Sequence, residues 1–351
     1  MSKAVKKIRT VAYKGSKRKL IDNIIALAKE TNPTTVFDGF SGTGIVAANL
    51  REAGYVVTAN DLNYSSFIFG SVFLKGFDQK EVEKHLNIIN NITPKTGWLT
   101  NNYAGAAKRV IRGTNNSVQE RPLGFLEKNA RKLDAAREYV QGLQMEEEER
   151  NALIFSIVLA ADKVFNNSND QKSSLKEWSV SSKKDVVFLS PTLVKGPQGS
   201  VTQGDILKQK IKADFVYFDP PYTSGVLYES CYHLNDSIAK WNKEKLDYSY
   251  AIPRPVSKCF KKNSKNSGNF YSKKEAAAAF DLLLSNTTAD RIVISYSDAP
   301  RNAISLKELQ AVCQKHGQVS VQTKNHRICM QPKQMNKISQ QLKEAFIIID
   351  Q

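Results

Sequence analysis

Between Thr35 and Asp61 the chain reads strand, glycine loop, helix, strand, which commits it to a parallel α/β sheet. Thr35-Val36-Phe37 is a short apolar run entering Asp38-Gly39-Phe40-Ser41-Gly42-Thr43-Gly44. Ile45 to Glu52 carry a helical pattern that Gly54 ends, and Tyr55 to Ala59 form a second strand finishing at Asn60-Asp61. An acidic residue at that position is where βαβ units hold ribose hydroxyls. The glycine spacing separates ligand classes. It is not G-x-G-x-x-G, which disfavours a dinucleotide. Gly39 and Gly44 have the P-loop separation, but Ile45-Val46 replaces the Lys-Ser/Thr that a nucleotide triphosphatase requires. Asp38, immediately before the loop, suits a cationic amino-acid moiety. S-adenosylmethionine carries that moiety together with a ribose. A purely structural turn is the alternative.

A second stretch, Ala213-Asp-Phe-Val-Tyr-Phe-Asp-Pro-Pro-Tyr222, narrows the chemistry. Val216 to Phe218 are β-branched or aromatic and read as a buried strand. Pro220 and Pro221 end strand pairing and hold the backbone extended and rigid. A carboxylate, a fixed carbonyl and an aromatic ring thus lie together at the carboxyl end of a strand, where open α/β sheets bind ligands. Such a cluster suits group transfer to an exocyclic nucleobase amine. The adenine N6 is a poor nucleophile because its lone pair is delocalised into the ring. Asp219 and the Pro220 carbonyl can each accept one N6–H and draw the nitrogen toward tetrahedral geometry. Tyr222 would stack on the base, a contact worth about 1–3 kcal/mol.

The formal charge of +17, from 51 basic against 34 acidic residues, favours a polyanionic partner. Four cysteines without a C-x-x-C pair and four histidines without ligand spacing point to a reducing compartment and no metal. No signal peptide or membrane span is visible, and Lys3, Lys6, Lys7 and Arg9 stand where secretion requires an apolar run. The expected location is the cytoplasm.

Near the N-terminus, Tyr13-Lys14-Gly15-Ser16-Lys17-Arg18-Lys19-Leu20 opens a helical pattern with a Gly-Ser turn suited to a carboxylate or phosphate. Taken in order, Tyr13–Leu20, Asp38–Gly44, Asn60-Asp61 and Asp219–Tyr222 resemble the alpha class of N6-adenine DNA methyltransferases, over nearly the whole chain. The resemblance implies a Rossmann-like methyltransferase sheet with helices on both faces and an inserted, mainly helical target-recognition domain. It implies that Tyr13 and Lys17 flank the methionine part of S-adenosylmethionine, that Asp38 faces its amino group and that Asp61 holds the ribose. Gly204-Asp205-Ile206 resembles the box whose carboxylate meets the cofactor's adenine amine, with Ile206 against the ring. Gly39 stands where many relatives carry a bulkier residue.

The implied organisation is a catalytic domain split into 1–76 and 201–351 around a recognition insertion at 77–200. After the apolar helix Tyr64 to Leu74 the sheet pattern lapses, and it resumes at Phe215. Helical stretches occupy Val82–Ile89, Arg131–Leu143 and Asn151–Phe165, and the acidic run Met145–Arg150 reads as a solvated face opening a helix. The polar loop Asn166–Trp178, with Asn167, Lys172 and Lys176, is the candidate for reading base edges and phosphates. Lys258, Lys261, Lys262 and Lys265, in a lysine-rich segment reaching Lys274, are candidates for the DNA backbone. His233 is set aside as a general base, because the chemistry needs only acceptors for the amine protons.

The expected activity is methyl transfer from S-adenosylmethionine to N6 of an adenine flipped out of duplex DNA. The protein would act as a monomer serving a restriction–modification system, with a restriction enzyme encoded nearby, or a phage. Alternatives are an enzyme acting on RNA and a silent nucleic-acid-binding module, whose mark would be a broken glycine loop or Asp-Pro-Pro-Tyr box. Both are intact.

Overall fold

Phe215, Val216, Tyr217 and Phe218 are all buried, as a strand covered on both faces must be. The computed structural model describes residues 8–13, 15–110, 118–167, 170–223, 228–258, 270–297, 299–325 and 343–351. In chain order, a 3-10 turn at Lys17–Lys19 precedes α1 (Ile21–Lys29), β1 (Thr35–Asp38), α2 (Ile45–Glu52), β2 (Val56–Asp61) and α3 (Tyr64–Leu74). Next come α4 (Gln79–Asn91), α5 (Trp98–Tyr103), β3 (Ala106–Val110), β4 (Val118–Pro122), α6 (Glu127–Gln141), α7 (Glu147–Val164) and α8 (Val180–Lys183). They are followed by β5 (Ser200–Gln203), β6 (Ile211–Lys212), β7 (Phe215–Phe218), α9 (His233–Lys240), β8 (Leu246–Asp247) and β9 (Arg254–Pro255). The chain closes with α10 (Ala276–Ser285), β10 (Thr287–Thr288), β11 (Arg291–Ser297), α11 (Leu306–Cys313), β12 (Gln318–Asn325) and β13 (Lys343–Asp350).

Two compact units form. The first takes 14–70, 194–227 and 263–351, and holds a seven-stranded sheet in the order β12-β13-β11-β7-β1-β2-β5. Strands β11, β7, β1, β2 and β5 run parallel, and β13 lies antiparallel between β11 and β12. One core packs Phe37, Val216, Phe218 and Ile294 of the sheet against Phe280 and Leu283 of α10. Register sets Asp38 opposite Tyr217 on one side and Ala59 on the other. Asp219 and Asp61 each follow two residues later, so three carboxylates gather at the carboxyl ends of adjacent strands.

The second strand of the βαβ unit finishes at Asp61, as the sequence predicts. One expectation needs correction: the sheet resumes before Phe215, because β5 pairs with β2. Ser200-Val201-Thr202-Gln203 is polar and largely exposed at the sheet edge. An edge strand needs no apolar run and leaves no such mark in sequence.

The second unit gathers 1–13, 71–193 and 228–262, where the sequence reading has a single insertion at 77–200. It is mainly helical. In α7 every residue from Asn151 to Ala161 is buried, as expected of a central helix. Glu147, Glu148 and Glu149 fill its first turn, where acidic side chains complement the helix dipole. The antiparallel hairpin β3–β4 belongs to this unit as well. No described helix is long and apolar enough to cross a membrane.

Candidate active site

The centre of the sheet unit's carboxyl edge is Asp219. Its Oδ1 lies 2.8 Å from Lys17 Nζ, and its side chain is 21% exposed against 4% for Lys17. The same ammonium reaches Glu344 Oε1 at 3.2 Å and the Gly15 carbonyl at 3.2 Å. An ammonium has three N–H donors, and these three acceptors engage them. Lys17 is therefore held between Asp219 and Glu344 of β13. Burial alone would lower its pKa, but Asp219, Tyr222 and Glu344 hold it well above the ordinary value. For Asp219, burial pushes the pKa up to about 6; Lys17 pulls against this and Glu344 adds to it.

Beyond Asp219 the backbone is fixed. Pro220 is buried, and the Tyr222 carbonyl accepts a hydrogen bond from Ala303 N at 2.9 Å. The Tyr222 ring leans on Tyr296, with centroids 4.7 Å apart and planes tilted by 53°. One side of the ring is thereby packed. Burial raises the Tyr222 hydroxyl to about 12, so it stays protonated at neutral pH.

On β1, Asp38 is 1% exposed, and the Ala47 and Phe40 amides face it without either closing to full hydrogen-bond geometry. Burial, with Asp219 and Asp61 nearby, lifts its pKa to about 8, offset only in part by the Ala47 and Phe40 amides. A buried carboxyl short of full hydrogen bonds costs free energy unless something supplies them. Among the described residues Ser41 Oγ is buried without a partner. The loop around them is tightly built. Ser41 N donates to Asn60 O at 3.0 Å, Gly42 N to Asp61 Oδ2 at 2.9 Å, and Gly44 caps α2 with φ of 72°. Thr43 is buried, and Phe40 meets Phe218 and Phe270 edge-on. Gly39 has a steric reason: a Cβ there would stand 2.5 Å from the Phe218 ring.

Asp61 Oδ1 also accepts from Asn63 N at 2.8 Å, so its carboxylate braces the loop with both oxygens. Asp205 caps the turn Ile206–Lys208 through Leu207 N. Ile206 is 4% exposed and its Cδ1 faces Gly39. Asp38, the glycine loop, Asp61, Asp205, Ile206, Lys17 and Asp219–Tyr222 thus belong to one unit. Tyr13 belongs to the other, where its ring stacks on Tyr232 at 4.1 Å and 16°.

The candidate DNA contacts divide. In the loop after α7, Asn166 and Gln171 are buried. Gln171 Oε1 accepts from Leu234 N at 2.9 Å and its Nε2 donates to Asn235 Oδ1 at 2.7 Å, so part of this loop is internal framework. Asn167 pairs across the loop with Ser174, Lys172 is half-buried, and Lys176 is exposed. Lys258 is 14% exposed and meets Asp236 at 3.1 Å, which withdraws it from the open lysine row expected of it. Lys261, Lys262 and Lys265 lie outside the described residues. His233 is wholly buried, with burial taking its pKa down to about 3, and Nε2 faces the Gln171 carbonyl at 3.0 Å. It is a core residue. Neither Glu344 nor the hairpin β3–β4 is anticipated from the sequence. Among the described residues no group of three or more His, Cys, Asp or Glu is arranged to hold a metal ion.

The family model for D12 class N6 adenine-specific DNA methyltransferases matches residues 13–311. The type II methyltransferase M.CviAII of Paramecium bursaria Chlorella virus 1 is 27% identical over 328 residues, covering 90% of this chain and 92% of its own. The type II methyltransferase M.NlaIII of Neisseria lactamica is 27% identical over 330 residues, covering 90% and 91%. The modification methylase StsI of Streptococcus sanguinis is 27% identical over 311 residues, 82% of this chain, which spans 44% of the StsI length.

Proposed function

Because the chain belongs to the D12 class N6 adenine-specific DNA methyltransferase family, we propose that methyl transfer takes place at the carboxyl edge of β1, β2 and β7, with Asp219 as acceptor of the adenine amine. The carrying observation is that Lys17 occupies Oδ1 of a side chain still 21% exposed. Oδ2 is then the oxygen left for an N6–H, and the Pro220 carbonyl, held by two prolines, is the second acceptor. Pulling both amine protons frees the nitrogen lone pair. Once alkylated, the nitrogen is cationic and sheds a proton, for which Asp219 Oδ2 is at hand. The exposed side of Tyr222 stacks on the base.

S-adenosylmethionine, when bound, supplies the electrophilic methyl group. The residues present fit it. Asp38 is a buried carboxyl group that the Ala47 and Phe40 amides satisfy only in part, and a cationic amino group would complete it as a carboxylate. Asp61, at the carboxyl end of β2, suits the ribose hydroxyls, and Asp205 with Ile206 suits the adenine amine and ring. The glycine loop gives close backbone approach.

The substrate is DNA. A duplex is the form proposed, with the target base flipped out, because N6 is unreachable within the stack. The helical unit is proposed to read the target through 77–200, with Asn167, Lys172 and Lys176 as contacts. The segment that follows Lys258, with Lys261, Lys262 and Lys265, is proposed to supply phosphate affinity. A monomer modifying specific sites beside a cognate restriction enzyme, or in a phage, accords with this reading. The test is Asp219→Ala, assayed for transfer of labelled methyl to duplex DNA and for cofactor binding by calorimetry. Loss of transfer with cofactor affinity retained supports the assignment, since removing such an acceptor costs about 2.7–4 kcal/mol in the transition state. Near-normal turnover would defeat it.

A further inference from the structure

Glu344 lies beyond residue 311, where the family match ends, yet it completes the site. It is 2% exposed on β13, its Oε1 is 3.2 Å from Lys17 Nζ, and it accepts a 2.6 Å hydrogen bond from Ser295 Oγ on β11. The Lys17–Asp219 pair is already neutral. A second buried carboxylate gives the cluster a net negative charge, and burying that charge costs stability. Such an arrangement is explained by a cation that forms there, and the amine nitrogen becomes one during transfer.

We propose that Glu344 is a positioning residue for methyl transfer: it draws Lys17 off Asp219 in part, so that Asp219 stays oriented yet basic enough to take the amine proton. This rests on the reading of Asp219 as amine acceptor. Lys17 alone, at 2.8 Å, would bind Asp219 as a closed ion pair and leave it a weak base. Sharing the ammonium between two carboxylates tempers that. Ser295 holds Glu344 in place, and strand register fixes the pair: Glu344 sits opposite Ser297 and Phe346 opposite Ser295. The charged and titratable groups around Asp219 are Lys17 from the N-terminal turn, Glu344 from β13, Tyr217 from β7, Tyr222 and, from β1, Asp38. Of the two carboxylates, Glu344 is the one that shares Lys17 directly.

The sign is definite. Asp219 must be ionised to accept the amine, so the rate falls as pH drops through its pKa. A negative Glu344 raises that pKa, and neutralising it lowers it. Glu344→Gln keeps an acceptor for Lys17 and Ser295 while removing the charge. Single-turnover transfer against pH should show the acid limb displaced to lower pH by about half to one unit. The plateau should drop about tenfold or more, as for a weakened proton acceptor, with cofactor affinity within about twofold of wild type. Ser295→Ala removes the donor that steadies Glu344, so Glu344 competes harder for Lys17 and the limb should move to higher pH. Ser295→Ala also carries the test if Glu344→Gln does not fold. Unmoved limbs in both variants, or a rate loss that tracks lost cofactor binding, would overturn the role of Glu344. If Asp219→Ala keeps turnover, the underlying assignment fails instead. If Asp219→Ala is dead while both variants behave as wild type, only Glu344 is excluded.

Discussion

A Cβ on Gly39 would stand 2.5 Å from Cδ1 of Phe218, so the glycine loop closes directly on the last apolar side chain of the catalytic strand. Phe218 has no room to retreat, being 0% exposed with Phe40 against it. Gly39→Ala should therefore destabilise the protein by about 1–3 kcal/mol through overpacking, and weaken cofactor binding by displacing the loop. Adding Phe218→Leu should restore part of both. Urea denaturation and calorimetry would check this, and a single variant as stable as wild type would show that the loop yields.

The second expectation concerns Asp38 and pH. Its folded pKa is about 8, above the ordinary carboxylate value because of burial. The raised pKa means the protonated form is favoured in the fold, so its contribution to stability is full in acid and is lost as pH rises through 8. Cofactor-free protein should lose melting temperature as pH rises from about 5 to 8 and level off above it, and Asp38→Asn should lose less. At pH 6.5, binding a cationic amine should expel up to one proton from the wild type and none from Asp38→Asn. Calorimetry in buffers of different ionisation enthalpy reads this directly. A buffer-independent enthalpy for the wild type would remove Asp38 from the amine site.

Asp61→Ala should weaken S-adenosylmethionine binding by about 1.5–3 kcal/mol, the range for hydrogen bonds to a charged group. It also releases the Gly42 and Asn63 amides that Asp61 now holds. A binding isotherm matching the wild type would show that the ribose is held elsewhere.

For the lysine-rich segment, Lys261, Lys262 and Lys265 to Gln should flatten the slope of log affinity against log salt by about 2–3 units, near 0.9 per phosphate contact. Cognate and random duplexes should weaken alike, because lysine is a point charge suited to phosphate rather than to base edges. Lys258→Gln should leave the slope almost unchanged, since Asp236 already engages that ammonium. An unaltered slope in the triple variant would assign the segment to solvent, and selective loss on cognate duplex would assign it to bases.

What the sequence makes legible is what it makes local. The glycine loop and Asp219–Tyr222 each set their chemistry in consecutive residues, and a buried strand before each places both at one sheet edge. The contact of Lys17 with Asp219 spans 202 residues and leaves no local mark. From sequence Lys17 is simply the basic residue of a turn. Glu344 opens a run of apolar strand residues and reads as the polar start of β13; only the antiparallel register with β11 carries it to Ser295 and Lys17. The polar loop after α7 shows the converse error. Asn and Gln suit base edges, but Asn166 and Gln171 are equally suited to bonding loop backbone, and burial assigns them to that task.

The place of β13 in the sheet bears on how the enzyme is made. It is threaded between β11 and β12, although it follows both in the chain. While a ribosome is still short of residue 343, the nascent polypeptide has the glycine loop, the Asp-Pro-Pro-Tyr box and every parallel strand, but β11 and β12 have nothing to join them. Lys17 then faces Asp219 without its second carboxylate. Competence for transfer then waits on β13, so a chain cut off by premature termination near residue 330 should emerge inert rather than partly active.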